Sequence, residues 1–285
     1  MATWTAVAST GATPVGAEVD ARTGLIDPDA VRAALGPRTA AVVPVHLFGR
    51  LAPMKPLRAL ADTASLLIVE DAAHAHGAEE DGLRAGELGD ATAFSFYPTK
   101  LLGAMGDAGA LTTADAGIAA RARLLRSYGQ GWPPGDAAAA GLSSRLDELQ
   151  AAVLRVRLGG LDAALTRLRD LASRYRGDLE GTTGLGLPEP GGDEPAWHQF
   201  TVTHAERDAL RAELAARGIG TAVHYAPLPP QLSAFTDAGS FERAERLSAT
   251  ILSLPFDAWL TDAQADEVCS AVARSVSGIA ERSWT

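Results

Sequence analysis

Ala93-Phe94-Ser95-Phe96-Tyr97-Pro98-Thr99-Lys100, continuing as Leu101-Leu102-Gly103-Ala104-Met105-Gly106-Asp107-Ala108-Gly109-Ala110, is an apolar strand, a polar turn and a glycine-rich run. The chain has 25 Lys plus Arg in 285 residues, and only Lys55 and Lys100 are lysines. Where a positive charge alone serves, this sequence uses arginine. A guanidinium stays protonated and forms no imine, whereas an amine does. Lys55 reads as a surface charge. Lys100, at the end of a buried strand beside Ser95, Thr99 and glycines, reads as an amine that forms a Schiff base.

The fold follows by working outward. Residues 12–19, 40–47, 66–69, 91–96 and 108–113 read as strands, the second and third as unbroken apolar runs. Strands without polar alternation suit a sheet covered on both faces. Helical patterns fall between them, at 27–35, opened by Asp27-Pro28, and at 53–64. Strand–helix–strand spacing of this kind predicts an α/β fold with a mostly parallel sheet. Helices are expected at 115–128, 144–156 and 161–179, with a loop at 130–140. Residues 181–195 form a Gly/Pro-rich connection. After it come strands at 198–203 and 221–225 and helices at 207–217, 241–252 and 261–276. The expected division is therefore 1–180, a large domain with connecting helices, and 181–285, a small α+β domain.

Composition narrows the function. The chain is 47% hydrophobic and 21% charged, a globular balance. A net charge of −10 argues against nucleic acid as a partner. The single Cys269 excludes an intramolecular disulfide and a cysteine-based metal cluster. No stretch approaches the roughly 20 apolar residues of a membrane span. With no basic, apolar leader at the N-terminus, these features lead us to expect a cytoplasmic protein without membrane contact.

A second element carries chemistry: Val69-Glu70-Asp71-Ala72-Ala73-His74-Ala75-His76-Gly77. The strand runs straight into Asp71, so that carboxylate lies at the C-terminal end of the strand, where open α/β sheets bind ligands. A carboxylate there can keep an aromatic nitrogen protonated, as pyridoxal phosphate (PLP) requires. Taken singly, Glu70-Asp71 also reads as a helix cap, and His74 and His76 as core or solvated histidines. Two histidines two residues apart, with no further ligand cluster, make no metal site. Ser95 lies five residues before Lys100, where its hydroxyl can reach a phosphate oxygen; capping a turn is the other reading. The run from Gly103 to Gly109 lacks the Gly-Lys-Ser/Thr ending of a P-loop. Its glycines let the chain turn back beneath the lysine.

IVEDAAHAHGA, GDATAFSFYPTKLLGAMGDAGALTT and LLRSYGQ, with SRLDELQAAVLRVRL, RGIGTAVHY and ERLSATILSLP, resemble the DegT/DnrJ/StrS family of PLP-dependent sugar aminotransferases. The resemblance runs from about Gly11 to near the C-terminus. It implies the aspartate aminotransferase (type I) fold and a homodimer with sites at the subunit interface. It implies that Lys100 holds PLP as a Schiff base and then shuttles protons. Asp71 would pair with the ring nitrogen and Ser95 would bind the phosphate. His74 stands where the family usually has Gln, which contacts the phenolic oxygen; His can also donate there. His46, Tyr97, His224 and Tyr225 are implied as substrate contacts, although a core hydrogen bond explains His46 equally well. The implied reaction moves an amino group from an amino acid, usually glutamate, to a nucleotide-linked keto-deoxysugar. Relatives that dehydrate sugars carry His at the lysine position, and Lys100 argues against that chemistry.

The chain also departs from the family. It begins where a typical member is well into its large domain, so the Gly-Thr-Ala segment that binds phosphate is expected to be missing. Trp4 is a candidate for the aromatic that stacks on the cofactor, though its spacing to Gly11 is short; the other reading is an apolar residue at a frayed end. Gly141-Leu142-Ser143-Ser144-Arg145 replaces Gly-Tyr-Asn, so Ser143 stands where an Asn reaches the partner subunit's phosphate. Arg145 is retained. Pro occurs in Ala226-Pro227-Leu228-Pro229-Pro230-Gln231 where a His is common. An active aminotransferase is one reading. A catalytically degenerate paralogue that acts as a partner subunit is the other.

Overall fold

The structure, a computed structural model, describes residues 1–131, 136–189 and 194–282, with the side chains of 236–238 excepted. The chain opens with α1 (Ala2–Ser9) and α2 (Pro28–Ala34), then β1 (Ala41–Val42), α3 (Met54–Ala64) and β2 (Leu67–Asp71). A small hairpin follows, β3 (Glu79–Glu80) and β4 (Leu83–Arg84), then β5 (Ala91–Ser95) and β6 (Gly109–Thr112). Three helices come next, α4 (Ala116–Leu125), α5 (Glu148–Leu158) and α6 (Leu161–Leu179). The last part holds β7 (Leu185–Gly186), β8 (Phe200–His204), α7 (Arg207–Ala216), α8 (Glu242–Thr250), β9 (Ile251–Leu254) and α9 (Asp262–Arg282).

The first sheet has the order β1-β2-β5-β6. The β1–β2 and β2–β5 pairs are parallel and β6 is antiparallel to β5, so the sheet is mostly parallel, as expected. Leu57, Leu60, Ala61 and Ile68 form its core under α3. The second sheet, β7-β8-β9, is antiparallel and packs on α7 and α9 through Phe200, Val202, Leu214, Leu252 and Val272. Helix α6 serves both halves. Its Leu165 packs with Leu51 and Ala72, while Leu168, Leu171, Tyr175 and Leu179 enter the second core. That core therefore begins ahead of residue 180. Among the described residues, no helix is long and apolar enough to cross a membrane.

Local chemistry explains where elements start and stop. Asp27 caps α2, its Oδ1 accepting the Asp29 amide at 2.9 Å, with Pro28 in the first turn. The strand expected at 40–47 shrinks to β1 plus a single bridge, Val45 to Asp71, because Pro44 has no amide hydrogen to give. The strand expected at 12–19 does not form. Glu18 instead accepts the Arg243 and Ala244 amides at 2.9 and 3.3 Å, tying this segment to the first turn of α8. The helix expected at 241–252 stops at Thr250, and the buried run Ile251–Leu254 becomes β9. Residues 221–225 keep one bridge, Ala222 to Ser253. The Trp132–Gly135 part of the expected loop lies outside the described residues.

Candidate active site

Asp71 and Ser95 end neighbouring parallel strands. In the register, Asp71 lies beside Ala93, so Ser95 is two residues further along the next strand. Both side chains therefore belong to the C-terminal edge of the sheet, the ligand edge of open α/β folds. The Asp71 backbone is fixed by Pro44 and His46 on one side, and Ala72 bonds Ala93 on the other. Its carboxylate accepts the Ala73 amide at 3.1 Å and the Thr3 hydroxyl at 2.7 Å. The Ser95 hydroxyl accepts the Tyr97 amide at 3.3 Å, leaving its own hydrogen to donate outward.

The lysine turn leaves β5 directly. Lys100 donates its amide to the Tyr97 carbonyl at 2.8 Å, and Ala104 returns to the Phe96 carbonyl at 2.7 Å. The turn closes only over glycine: a Cβ on Gly103 would lie 2.7 Å from the Pro98 oxygen and 2.9 Å from the Tyr97 oxygen. Burial holds the half-buried Lys100 amine below its ordinary pKa, with the Asp71 carboxylate pulling partly the other way. A depressed amine is more often unprotonated, which suits a nucleophile and proton carrier. One wall of Lys100 opens on a cavity of about 560 Å³ that also reaches His198 and Trp259.

Four of the six histidines, His74, His76, His198 and His224, feel the Lys100 charge. Burial is the chief cause that lowers the pKa of all four, His76 to about 4 and His198 to about 3. The Phe48 amide donates to His74 Nδ1 at 3.4 Å, so the ring hydrogen sits on Nε2, 3.5 Å from the Tyr225 hydroxyl. His224 bonds Ser253 through Nδ1 at 2.8 Å and meets the Gln199 amide nitrogen at 3.3 Å. Tyr225 stacks on Phe48, and burial, then Asp71, raises its pKa.

The structure brings Asp71, His74, Ser95, Lys100, His224 and Tyr225 to one region. Tyr97 lies exposed on the lysine turn. Ser143 is exposed, its backbone bridged to Ser127, and Arg145 lies over the Tyr128 ring at 5.8 Å. Trp4 packs edge-on against Phe235. His46 is a correction to the substrate set: it is fully buried, its Nε2 on Glu70 at 2.8 Å and its Nδ1 accepting the Ala52 amide at 3.0 Å. It is a core residue, the alternative reading of its position. Sequence reasoning missed His198, which read only as the start of a strand; the sequence signal was no more than the small number of histidines, six in the chain.

These groups fit PLP. A strand-end carboxylate suits its ring nitrogen, a fixed imidazole N–H its phenolic oxygen, a free hydroxyl its phosphate and a depressed amine its aldehyde. His76 Nε2 and Gln199 Oε1 are buried without a hydrogen-bond partner among the described residues, an arrangement that leaves polar capacity for a ligand.

Comparison with known proteins agrees. A profile of the DegT/DnrJ/EryC1/StrS aminotransferase family matches residues 1–273. A dTDP-3-amino-3,4,6-trideoxy-alpha-D-glucose transaminase of Streptomyces venezuelae is 48% identical, over 95% of this chain and 73% of the relative. The crystal structure of S. venezuelae DesV in complex with a ketimine intermediate superimposes with a TM-score of 0.93 at 46% identity, covering 96% of this chain and 75% of that one. Bacillus subtilis NtdA with bound cofactor PMP gives 0.89 at 27% identity, covering 97% of this chain and 65% of that one. The chain belongs to the DegT/DnrJ/EryC1/StrS aminotransferase family, PLP-dependent transaminases of fold type I.

Proposed function

We propose that this chain moves an amino group from an amino acid, with glutamate the expected donor, to the keto group of a nucleotide-linked deoxysugar. The carrying observation is the desolvated Lys100 amine, on the turn that follows β5, within electrostatic reach of the Asp71 carboxylate at the end of β2. Bound PLP supplies the electron sink. Asp71 would hold a proton on the ring nitrogen, His74 Nε2–H would bond the phenolic oxygen, and Ser95 would bond the phosphate. With PLP bound, Lys100 would take a proton from the amino-donor carbon in the first half-reaction and give a proton to the sugar carbon in the second. Tyr97, His224 and Tyr225 lie on the approach to this centre and are the expected sugar contacts. The partner set is a nucleotide-sugar ketone, an amino acid and a second copy of the chain, which supplies Ser143 to the phosphate. A cytoplasmic setting fits the lone, buried Cys269.

One observation favours the non-catalytic reading: both Asp71 oxygens already accept bonds, one from Thr3. Turnover decides between the two. The PLP-loaded protein, given a dTDP-linked 3-keto deoxysugar and glutamate, should yield the amino sugar by mass spectrometry, and Lys100→Ala should yield none. Absence of product from loaded wild-type protein across dTDP- and UDP-linked ketones would favour a partner subunit.

A further inference from the structure

We propose that His198 is a positioning residue that holds the His74 imidazole in its donating orientation. The two rings come from opposite halves of the chain and meet with centroids 4.1 Å apart, tilted by 32°. One peptide step fixes both. The Phe48 amide donates to His74 Nδ1, and the Phe48 carbonyl accepts the His198 amide at 3.0 Å. The next carbonyl, Gly49, accepts the Ala196 amide at 2.8 Å. The approach requires glycine: Gly49 has φ +88°, and a Cβ there would lie 2.5 Å from the Trp197 nitrogen and 2.7 Å from the His198 nitrogen. His198 thus has little freedom to move, and its ring covers the face of His74. Residues 47–50 clasp 196–198, and this clasp joins the first sheet to the second.

The groups that face His74 are His198, Lys100, His224 and His76, the Tyr225 hydroxyl and the Phe48 amide. Burial chiefly holds His74 well below its ordinary value, and the nearby Lys100 amine acts in the same direction. A neutral ring with one fixed N–H presents a single donor to the cofactor; a charged or rotating ring does not. His198→Ala opens that face to water, whereas His198→Phe keeps it covered by a flat ring.

This inference rests on the PLP reading, so the test has two independent arms. The first is imidazole ¹⁵N NMR of the full-length chain between about pH 5 and 8. In wild-type and His198→Phe, His74 should stay neutral with its hydrogen on Nε2. In His198→Ala its midpoint should rise toward the ordinary value of about 6.5. The second is the Kd for PLP by absorbance titration. It should weaken about tenfold in His198→Ala, one hydrogen bond's worth, and change little in His198→Phe. An unchanged His74 titration in His198→Ala overturns the proposal, as does a His198→Phe that behaves like the alanine variant. If His198→Ala does not fold, His198→Leu replaces it as the non-aromatic comparison. If wild-type protein binds no PLP, the cofactor reading fails and the NMR arm still decides the role of His198.

Discussion

Glu70 and Asp71 are adjacent carboxylates with different duties, and the pleat of β2 separates them. Successive side chains on a strand point to opposite faces. Glu70 faces the core, wholly buried, and accepts bonds from His46, Thr92 and the amides of Gly86, Leu88 and Gly89. Burial alone would raise its pKa, but hydrogen bonds from His46 and Thr92 outweigh that and leave it lowered. Glu70→Ala strands five donors in the interior and should cost about 3–5 kcal/mol in urea unfolding. A loss below about 0.5 kcal/mol, the size of a typical surface effect, would refute the structural role. A lowered folded pKa means that the Glu70 contribution is full above the unfolded value of about 4.3. It is lost as pH falls through the folded pKa, so Glu70→Ala should flatten the acid limb of the stability curve. Asp71 faces the ligand edge instead. Asp71→Asn should bind PLP yet turn over at a small fraction of the wild-type rate; unchanged turnover would remove its assigned role.

Glycine placement is the element-scale counterpart. Gly103 meets three backbone carbonyls within 3.0 Å, so Gly103→Ala must displace the lysine turn, because backbone cannot step aside. Gly106 meets only the amide end of the Gln150 side chain, at 3.2 Å, which can swing away. Gly103→Ala should therefore weaken PLP binding by about tenfold or more, while Gly106→Ala stays close to wild type. Equal effects would mean that the turn does not depend on Gly103. The same scale shows what the sequence made legible. Apolar runs at β2 and β5 and the period of α6 announce themselves, because burial and pattern coincide there. β9 does not, since Ile251–Leu254 continues an amphipathic helix without a break signal and its state is decided by pairing with β8. The hairpin of β3 and β4 turns on Asp81-Gly82, both at positive φ. Asp71 and Ser95 were readable because each ends a strand, and Lys100 because it follows β5 on a glycine-rich turn and is one of only two lysines. His198 was not, because nothing local ties it to a lysine 98 residues earlier.

At the scale of the molecule, α5 leaves an apolar stripe in the open. Leu149 and Val156 are each 81% exposed, seven residues apart on one face, with exposed Ala152 between them. A second copy of the chain, which the proposed function calls for, has this stripe to bury. Light scattering should then report a dimer for wild-type protein and a monomer for Leu149→Glu/Val156→Glu. A dimer that survives both charges would place the interface elsewhere. The central claim is that Lys100 holds the cofactor. Its most direct measurement is the visible spectrum of the purified chain with added PLP, followed by borohydride reduction and mapping of the labelled peptide. A yellow band that reduces onto the peptide containing Lys100, and is absent in folded Lys100→Ala, is the expected result. No band from folded wild-type protein, or a label on Lys55, would contradict it.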